Sequence, residues 1–178
     1  MMIRNIFNKI RKKVLSPEKY ARYIGVNMGE NNFVPDKETW SSEPYLITVG
    51  NNCQITMGVR IFTHGGGQAI RHQIPDFDAF GKVVIEDYVY IGNNALIMPG
   101  VTIGEHSIVA AGSIVTKSVP PNTVVAGNPA KIVCSVNDYI ERNIDYNIRT
   151  KGLDRDMKKK VLQSIPEEKF IVKKMLKA

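Results

Sequence analysis

Residues 83–133 read VVIEDYVYIGNNALIMPGVTIGEHSIVAAGSIVTKSVPPNTVVAGNPAKIV, and their spacing decides the fold. Every sixth residue from Ile85 is a branched aliphatic: Ile91, Ile97, Ile103, Val109 and Val115 follow without a miss. An amphipathic helix repeats its apolar face about every 3.6 residues and a strand every two, so neither accounts for a beat of six. A solenoid does. Each hexapeptide is then one short strand and one turn, its aliphatic side chain points inward, and successive coils stack those side chains into ladders. With three hexapeptides to a triangular coil, Ile85 lies beneath Ile103, Ile91 beneath Val109 and Ile97 beneath Val115. Gly92, Asn93 and Gly104 follow inward residues and are assigned to tight corners, which favour small or left-handed-tolerant residues. The same beat runs earlier through Val49, Ile55 and Ile61.

Working outward, the beat fails between Ile61 and Ile85, where positions 67, 73 and 79 are Gly67, Gln73 and Ala79. An interruption of that length in a regular coil is a loop thrown out from one corner, over about residues 63–83, and long loops in a compact fold tend to be functional. Residues 26–48 are rich in Gly, Asn, Pro and Ser and hold the single tryptophan, Trp40. They read as irregular first coils, with Met28, Phe33 and Val34 apolar but the beat imperfect. Upstream, Ile3, Ile6, Phe7, Ile10 and Val14 share one helical face amid basic residues. A second helix starts at Ser16 as N-cap with Pro17 in its first turn, and stops at Gly25. Two placements of this arm are open: on an anionic membrane surface, or packed against the solenoid or a neighbouring subunit. Beyond Lys131 the pattern turns helical. Val136, Ile140, Ile144 and Ile148 recur every four residues, a second helix begins at Asp154, and a third follows Pro166 with Ile171, Met175 and Leu176. These helices are expected to cover the open end of the coil, whose last strands would otherwise be an exposed edge. The chain thus divides into an N-terminal helical arm (1–24), a solenoid (25–134) and a C-terminal helical extension (135–178).

The quoted segment resembles the hexapeptide-repeat acyltransferases, most specifically at AAGSIVTK and VAGNPAK, and the likeness extends over about residues 24–134. The resemblance implies a left-handed parallel β-helix. That handedness comes from the resemblance alone, since parallel crossovers are otherwise overwhelmingly right-handed. Within the family the sequence is most similar to the maltose, galactoside and surface-polysaccharide O-acetyltransferases. They use acetyl-CoA as co-substrate, and the family implies a homotrimer with active sites at the subunit interfaces.

Composition narrows the alternatives. Residues 1–24 hold seven Lys/Arg against one Glu and residues 135–178 hold eleven basic against seven acidic residues, whereas residues 25–134 hold six against nine. The net charge of +7 therefore sits in the two ends, which argues against a nucleic-acid groove on the solenoid. Cys53 and Cys134 are too few and too far apart for a disulfide scaffold or a zinc cluster, and read as packed thiols. No secretory signal or bilayer-spanning run is evident, so a cytoplasmic setting is expected.

Acetyl transfer from a thioester to a hydroxyl needs a base at the hydroxyl and donors for the developing oxyanion. An imidazole titrating near pH 6.5 can take that proton at about neutral pH and return it. Of the three histidines, His64 sits at the mouth of the loop, where the family's catalytic histidine sits. Arg71 and His72, seven and eight residues on, are candidates for acceptor contact, whereas His106 reads as a solvated corner residue. The three lack the close pair that the zinc carbonic anhydrases of similar fold require, so no metal is expected. Carried over by position, the resemblance makes Ala111 a backbone contact for the pantetheine arm. It puts Thr116 and Lys117 near the nucleotide, Lys131 near a phosphate, Tyr90 against the donor, and the backbone N–H of Asn93 at the oxyanion. Lys117 and Lys131 suit a strongly anionic donor, being the only lysines between Ile85 and Cys134. Two departures stand out: Cys134 replaces an arginine that relatives often carry, and the loop differs from those of the sugar acetyltransferases.

The expectation is an acetyl-CoA-dependent O-acetyltransferase acting on a sugar or surface-polysaccharide precursor, by direct transfer in a ternary complex. Xenobiotic, serine or amino-sugar acetylation on the same scaffold is the nearest rival. A β-helix kept as a binding or assembly module is the other class, disfavoured by His64 together with the donor-site motifs.

Overall fold

Each hexapeptide buries two side chains rather than one. In the computed structural model, which describes residues 11–175, Ile55, Ile85, Ile91, Ile97, Ile103 and Val109 have no exposed surface. The residue two places before each is buried as well: Cys53, Val83, Val89, Ala95, Val101 and Ser107. That pairing is the period of two of a short strand, and the following turn carries the chain to the next face.

Three parallel faces result. One carries β1 (Asn27–Met28), β2 (Ile47–Val49), β5 (Val83–Ile85) and β8 (Thr102–Ile103). The second carries β3 (Gln54–Ile55), β6 (Tyr90–Ile91), β9 (Ile108–Val109) and β11 (Thr123–Ala126), and ends in β12 (Lys131–Ser135). The third consists of β4 (Arg60–Ile61), β7 (Leu96–Ile97) and β10 (Ile114–Val115). The ladders have the register expected from the beat of six: Ile85 pairs with Ile103, Ile91 with Val109 and Ile97 with Val115, each a step of 18 residues. Below them Val49 pairs with Ile85, Ile55 with Ile91 and Ile61 with Ile97, a step of 36. The additional residues leave the coil between β4 and β5. An antiparallel bridge between His64 and Phe80 closes the neck of that loop, and Gly81 N donates to Thr63 O there at 2.8 Å.

Three local expectations are corrected. The left-handed corner residues are Asn52, Gly58, Tyr88, Asn94, Gly100, His106 and Gly112, each three places after an aliphatic rather than one or two. Gly92 and Gly104 answer a different need. A Cβ on Gly92 would lie 2.5 Å from Ala111 N in the next coil, so these two glycines let coils approach, and Asn93 is not left-handed. The first coil is more regular than expected, with Met28 and Val34 buried and Trp40 packed on the core at six-residue spacing. Among the described residues the third C-terminal helix does not form: Pro166 leads into a short 3-10 turn at Glu167–Lys169, residues 170–175 are not helical, and Leu176 lies outside the described residues. The β-branched Ile171 and Val172 and the lack of a side-chain cap account for this.

β12 was not foreseen either. After β11 the chain turns, Ala130 N donates to Ile114 O at 2.8 Å, and β12 returns antiparallel along β11 with a bulge between Val124 and Val125. It thereby takes up the edge that β11 would have left open. At the other end of the solenoid, α1 (Pro17–Ile24) is capped by Ser16 and stopped by the left-handed Gly25. Its Ala21 is fully buried and Arg22 Nε donates to Met28 O at 3.2 Å, which fixes the helix to the first coil. Residues 11–14 are helical, while Ile3, Ile6, Phe7 and Ile10 lie outside the described residues.

The chain divides after Val136 into two compact units. The second contains most of α2 (Val136–Asn143), a 3-10 turn at Ile144–Tyr146, and α3 (Arg155–Ser164), which Asp154 caps by accepting from Asp156 N and Met157 N at 2.9 Å. Among the described residues no helix is long and apolar enough to cross a membrane.

Candidate active site

His64 follows β4 by three residues and stands at the neck of the loop. Its Nδ1 is buried and 2.7 Å from Glu43 Oε2, close enough for a strong electrostatic attraction. Thr63, fully buried, donates through Oγ1 to the same carboxylate oxygen at 2.8 Å and lies 2.8 Å from Ser41 Oγ. Burial pushes the Glu43 carboxyl up, but hydrogen bonds from Thr63 and Ser42 and the His64 imidazole together outweigh it and hold the group below the usual carboxylate range. The carboxylate is therefore ionised at neutral pH. A carboxylate oxygen 2.7 Å from Nδ1 favours the imidazole tautomer that carries its proton there.

Glu43 was not anticipated. It lies 21 positions before His64, in the segment that bulges out between Trp40 and β2 and contains a 3-10 turn at Pro44–Leu46. No spacing rule joins the two. Only the coil does so, by laying residues 39–43 against residues 61–64: Ile61 N donates to Thr39 O at 2.8 Å, and Thr63 meets Ser41 and Glu43.

Above His64, at the same corner, the chain leaving β10 carries Thr116 and Lys117. Consecutive pairing of β4, β7 and β10 puts them two coils up, about 10 Å along the axis. There a cavity of about 420 Å³ is lined by Thr116, Lys117 and Lys131 with Pro120, Pro129 and Ile132 among others. Three residues assigned separately to the donor nucleotide thus share one cavity. Two lysines and apolar walls suit a phosphate-bearing, aromatic-ended ligand.

Tyr90, Asn93 and Ala111 are elsewhere. Asn93 lies in the turn between β6 and β7 and Ala111 in the turn between β9 and β10, one coil apart, where Gly112 N donates to Asn93 O at 2.8 Å. Tyr90 is on β6 and 39% exposed. These three belong to the second face and to the corner on the far side of the third face from His64.

The loop residues are engaged within the loop. Arg71 Nε donates to Phe77 O at 3.1 Å and its guanidinium is 3.6 Å from Asp78. His72 Nδ1 donates to Ala69 O at 3.0 Å and its Nε2 accepts from Gln73 at 3.1 Å. His106 stacks on Tyr88 with ring centroids 4.9 Å apart. Cys53 is a buried thiol that donates to Glu86 O at 3.0 Å, and burial pushes its pKa up. Among the described residues no group of three or more His, Cys, Asp or Glu side chains is placed to hold a metal ion.

The family model described as bacterial transferase hexapeptide (six repeats) matches residues 82–117. Protein CapG of Staphylococcus aureus is 44% identical over 163 residues, covering 88% of this chain and 92% of its own length. The galactoside O-acetyltransferase of Escherichia coli K12 is 32% identical, covering 77% of this chain and 68% of that protein. Among solved structures, the hexapeptide-repeat-containing acetyltransferase VCA0836 of Vibrio cholerae, complexed with acetyl coenzyme A, superposes with a TM-score of 0.51 at 28% identity, covering 66% of this chain and 75% of that one. The coil is a left-handed parallel β-helix of the kind these proteins share.

Proposed function

The chain belongs to the hexapeptide-repeat acetyltransferases, and from that premise we propose that it transfers the acetyl group of acetyl-CoA to a hydroxyl of a sugar or surface-polysaccharide precursor, with His64 as general base. The observation that carries this reading is the His64–Glu43 pair at 2.7 Å, on the corner that also bears the Thr116–Lys117–Lys131 cavity.

In this scheme Nε2 of His64 accepts the proton of the acceptor hydroxyl as its oxygen bonds to the acetyl carbonyl carbon. The imidazolium so formed faces the Glu43 carboxylate, which stabilises the positive charge without taking the proton. When the carbon–sulfur bond breaks, the proton passes to the departing thiolate and His64 is neutral again. No covalent acyl-enzyme is needed, and the buried Cys53 takes no part. Lys117 and Lys131 hold the anionic end of the donor in their cavity, with its thioester end directed down the corner toward His64. The oxyanion is stabilised by a backbone N–H, that of Asn93.

Asn93, Tyr90 and Ala111 stand across the third face from His64 within one chain. This separation supports a homotrimer in which one subunit supplies His64 and its neighbour the oxyanion donor. The carbohydrate acceptor is supported by the galactoside O-acetyltransferase relative, and a cytoplasmic setting by the two free thiols. The test is thiol release from acetyl-CoA against a panel of methyl glycosides, serine and aminoglycoside or phenolic antibiotics. Release stimulated by a glycoside is the expected result, and release only with serine or an antibiotic replaces the acceptor class.

A further inference from the structure

Beside His64 the loop presents a wall and an open floor. The wall is Phe80, a residue 51% exposed, whose ring centroid lies 5.5 Å from that of the imidazole with the planes tilted by 49°. The backbone bridge between the two residues fixes this spacing. The floor is Gly65 and Gly66, where an added Cβ would meet no atom within 4 Å. Arg71, Asp78 and Phe77 brace the loop from within, so Phe80 is held on a tied segment. An exposed aromatic residue next to the base, with two glycines following that base and open space where their side chains would be, has the form of a stacking site for a saturated ring.

Resting on the reading of His64 as base, we propose that Phe80 is the acceptor-binding platform: the apolar C–H face of a pyranose ring stacks on it, over Gly65 and Gly66, and so presents one hydroxyl to His64 Nε2. Phe80 then sets acceptor affinity and ring-type preference and takes no part in proton transfer. Arg71, His72, Gln73 and Asp78 have partners inside the loop, so these four are engaged before a monosaccharide binds and the stacking supplies a main part of its affinity.

The experiment compares wild type, Phe80→Ala, Phe80→Trp and Gly65→Leu by steady-state thiol release. Acceptors are methyl pyranosides of the gluco, galacto and manno series and their 2-acetamido forms, with circular dichroism and gel filtration as folding controls. Phe80→Ala should raise the acceptor KM on the order of tenfold while the acetyl-CoA KM stays within about twofold, and Phe80→Trp should restore it. Gly65 is outside the left-handed region and its Cβ has open space, so Gly65→Leu should fold as wild type yet raise the acceptor KM by filling the floor. An unchanged acceptor KM in both Phe80→Ala and Gly65→Leu overturns the platform, as does a parallel rise in both KM values. If Phe80→Ala fails to fold, Gly65→Leu decides alone. A shifted acceptor KM alongside an active His64→Ala enzyme removes the base and keeps the platform. Absence of turnover with every glycoside overturns both.

Discussion

Two glycine-to-alanine changes of identical chemistry should differ in cost, because the two glycines serve different ends. At Gly92 a Cβ would sit 2.5 Å from Ala111 N and 2.9 Å from Ala110 C, backbone atoms of the next coil that cannot swing aside. Ordinary contact begins near 3.4 Å, so the coils must part locally by about 0.9 Å. That stretches the bond from Gly92 N to Val109 O, now 2.8 Å, beyond hydrogen-bond length. Loss of one backbone bond costs about 1 kcal/mol and overpacking about 1–3 kcal/mol, so Gly92→Ala should cost about 2–4 kcal/mol. For a chain of this size that lowers Tm by about 4–16 °C. Gly112 has φ 69° and nothing near its Cβ, so Gly112→Ala meets only the left-handed backbone penalty of about 1 kcal/mol. Asparagine already fills the equivalent corner one coil away, at Asn94, and the same turn position of another corner at Asn52, so Gly112→Asn should be nearly neutral. Thermal unfolding followed by circular dichroism compares all three. Equal Tm losses for Gly92→Ala and Gly112→Ala would refute the steric argument for the coil spacing.

Glu43→Gln keeps the shape of the network but removes the charge facing His64, and should lower kcat by about 10- to 100-fold with little change in the acetyl-CoA KM; a rate within twofold of wild type would show that the carboxylate is idle. The folded Glu43 carboxyl lies below its ordinary value of 4.5, so its ionisation adds stability that is complete above that value and is lost as pH falls through the lower folded value. Acid unfolding of Glu43→Gln should accordingly lose stability less steeply below pH 4.5 than wild type does. Lys117→Ala and Lys131→Ala should each raise the acetyl-CoA KM by about threefold to tenfold, and the wild-type KM should rise with salt more steeply than that of the double variant. A double variant with wild-type KM would mean that the cavity does not hold the donor.

The scaffold was legible because one inward position per hexapeptide is a large aliphatic, and a beat of six admits few architectures. The second inward position is harder to read because Cys53, Ala95, Ser107 and Ser113 interrupt its aliphatic run of Ile47, Val59, Val83, Val89 and Val101 with small residues, which hydrophobic periodicity does not register. The left-handed corners lie one or two places beyond the residues that signal them for a related reason: Gly92 and Gly104 carry the glycine signal for coil spacing, whereas Tyr88 and His106 adopt the left-handed turn without it. β12 reads as a continuation of the coil, since KIVCS is as apolar as an inner strand although Ile132 and Val133 are exposed. At the candidate site, motifs single out His64, Lys117 and Lys131 for attention, but no motif singles out the partner of His64. Glu43 reaches it through coil stacking across 21 residues, a distance fixed by topology and marked by no motif.

The most direct test of the account is the rate of thiol release by His64→Ala, with acetyl-CoA and a glycoside acceptor both saturating. The His64 side chain is about one third exposed, so alanine there should leave the fold intact, to be verified by circular dichroism and gel filtration. A fall of about 10²- to 10⁴-fold in kcat is the predicted result for loss of a general base. A folded His64→Ala protein working within a few fold of wild type would contradict the central claim.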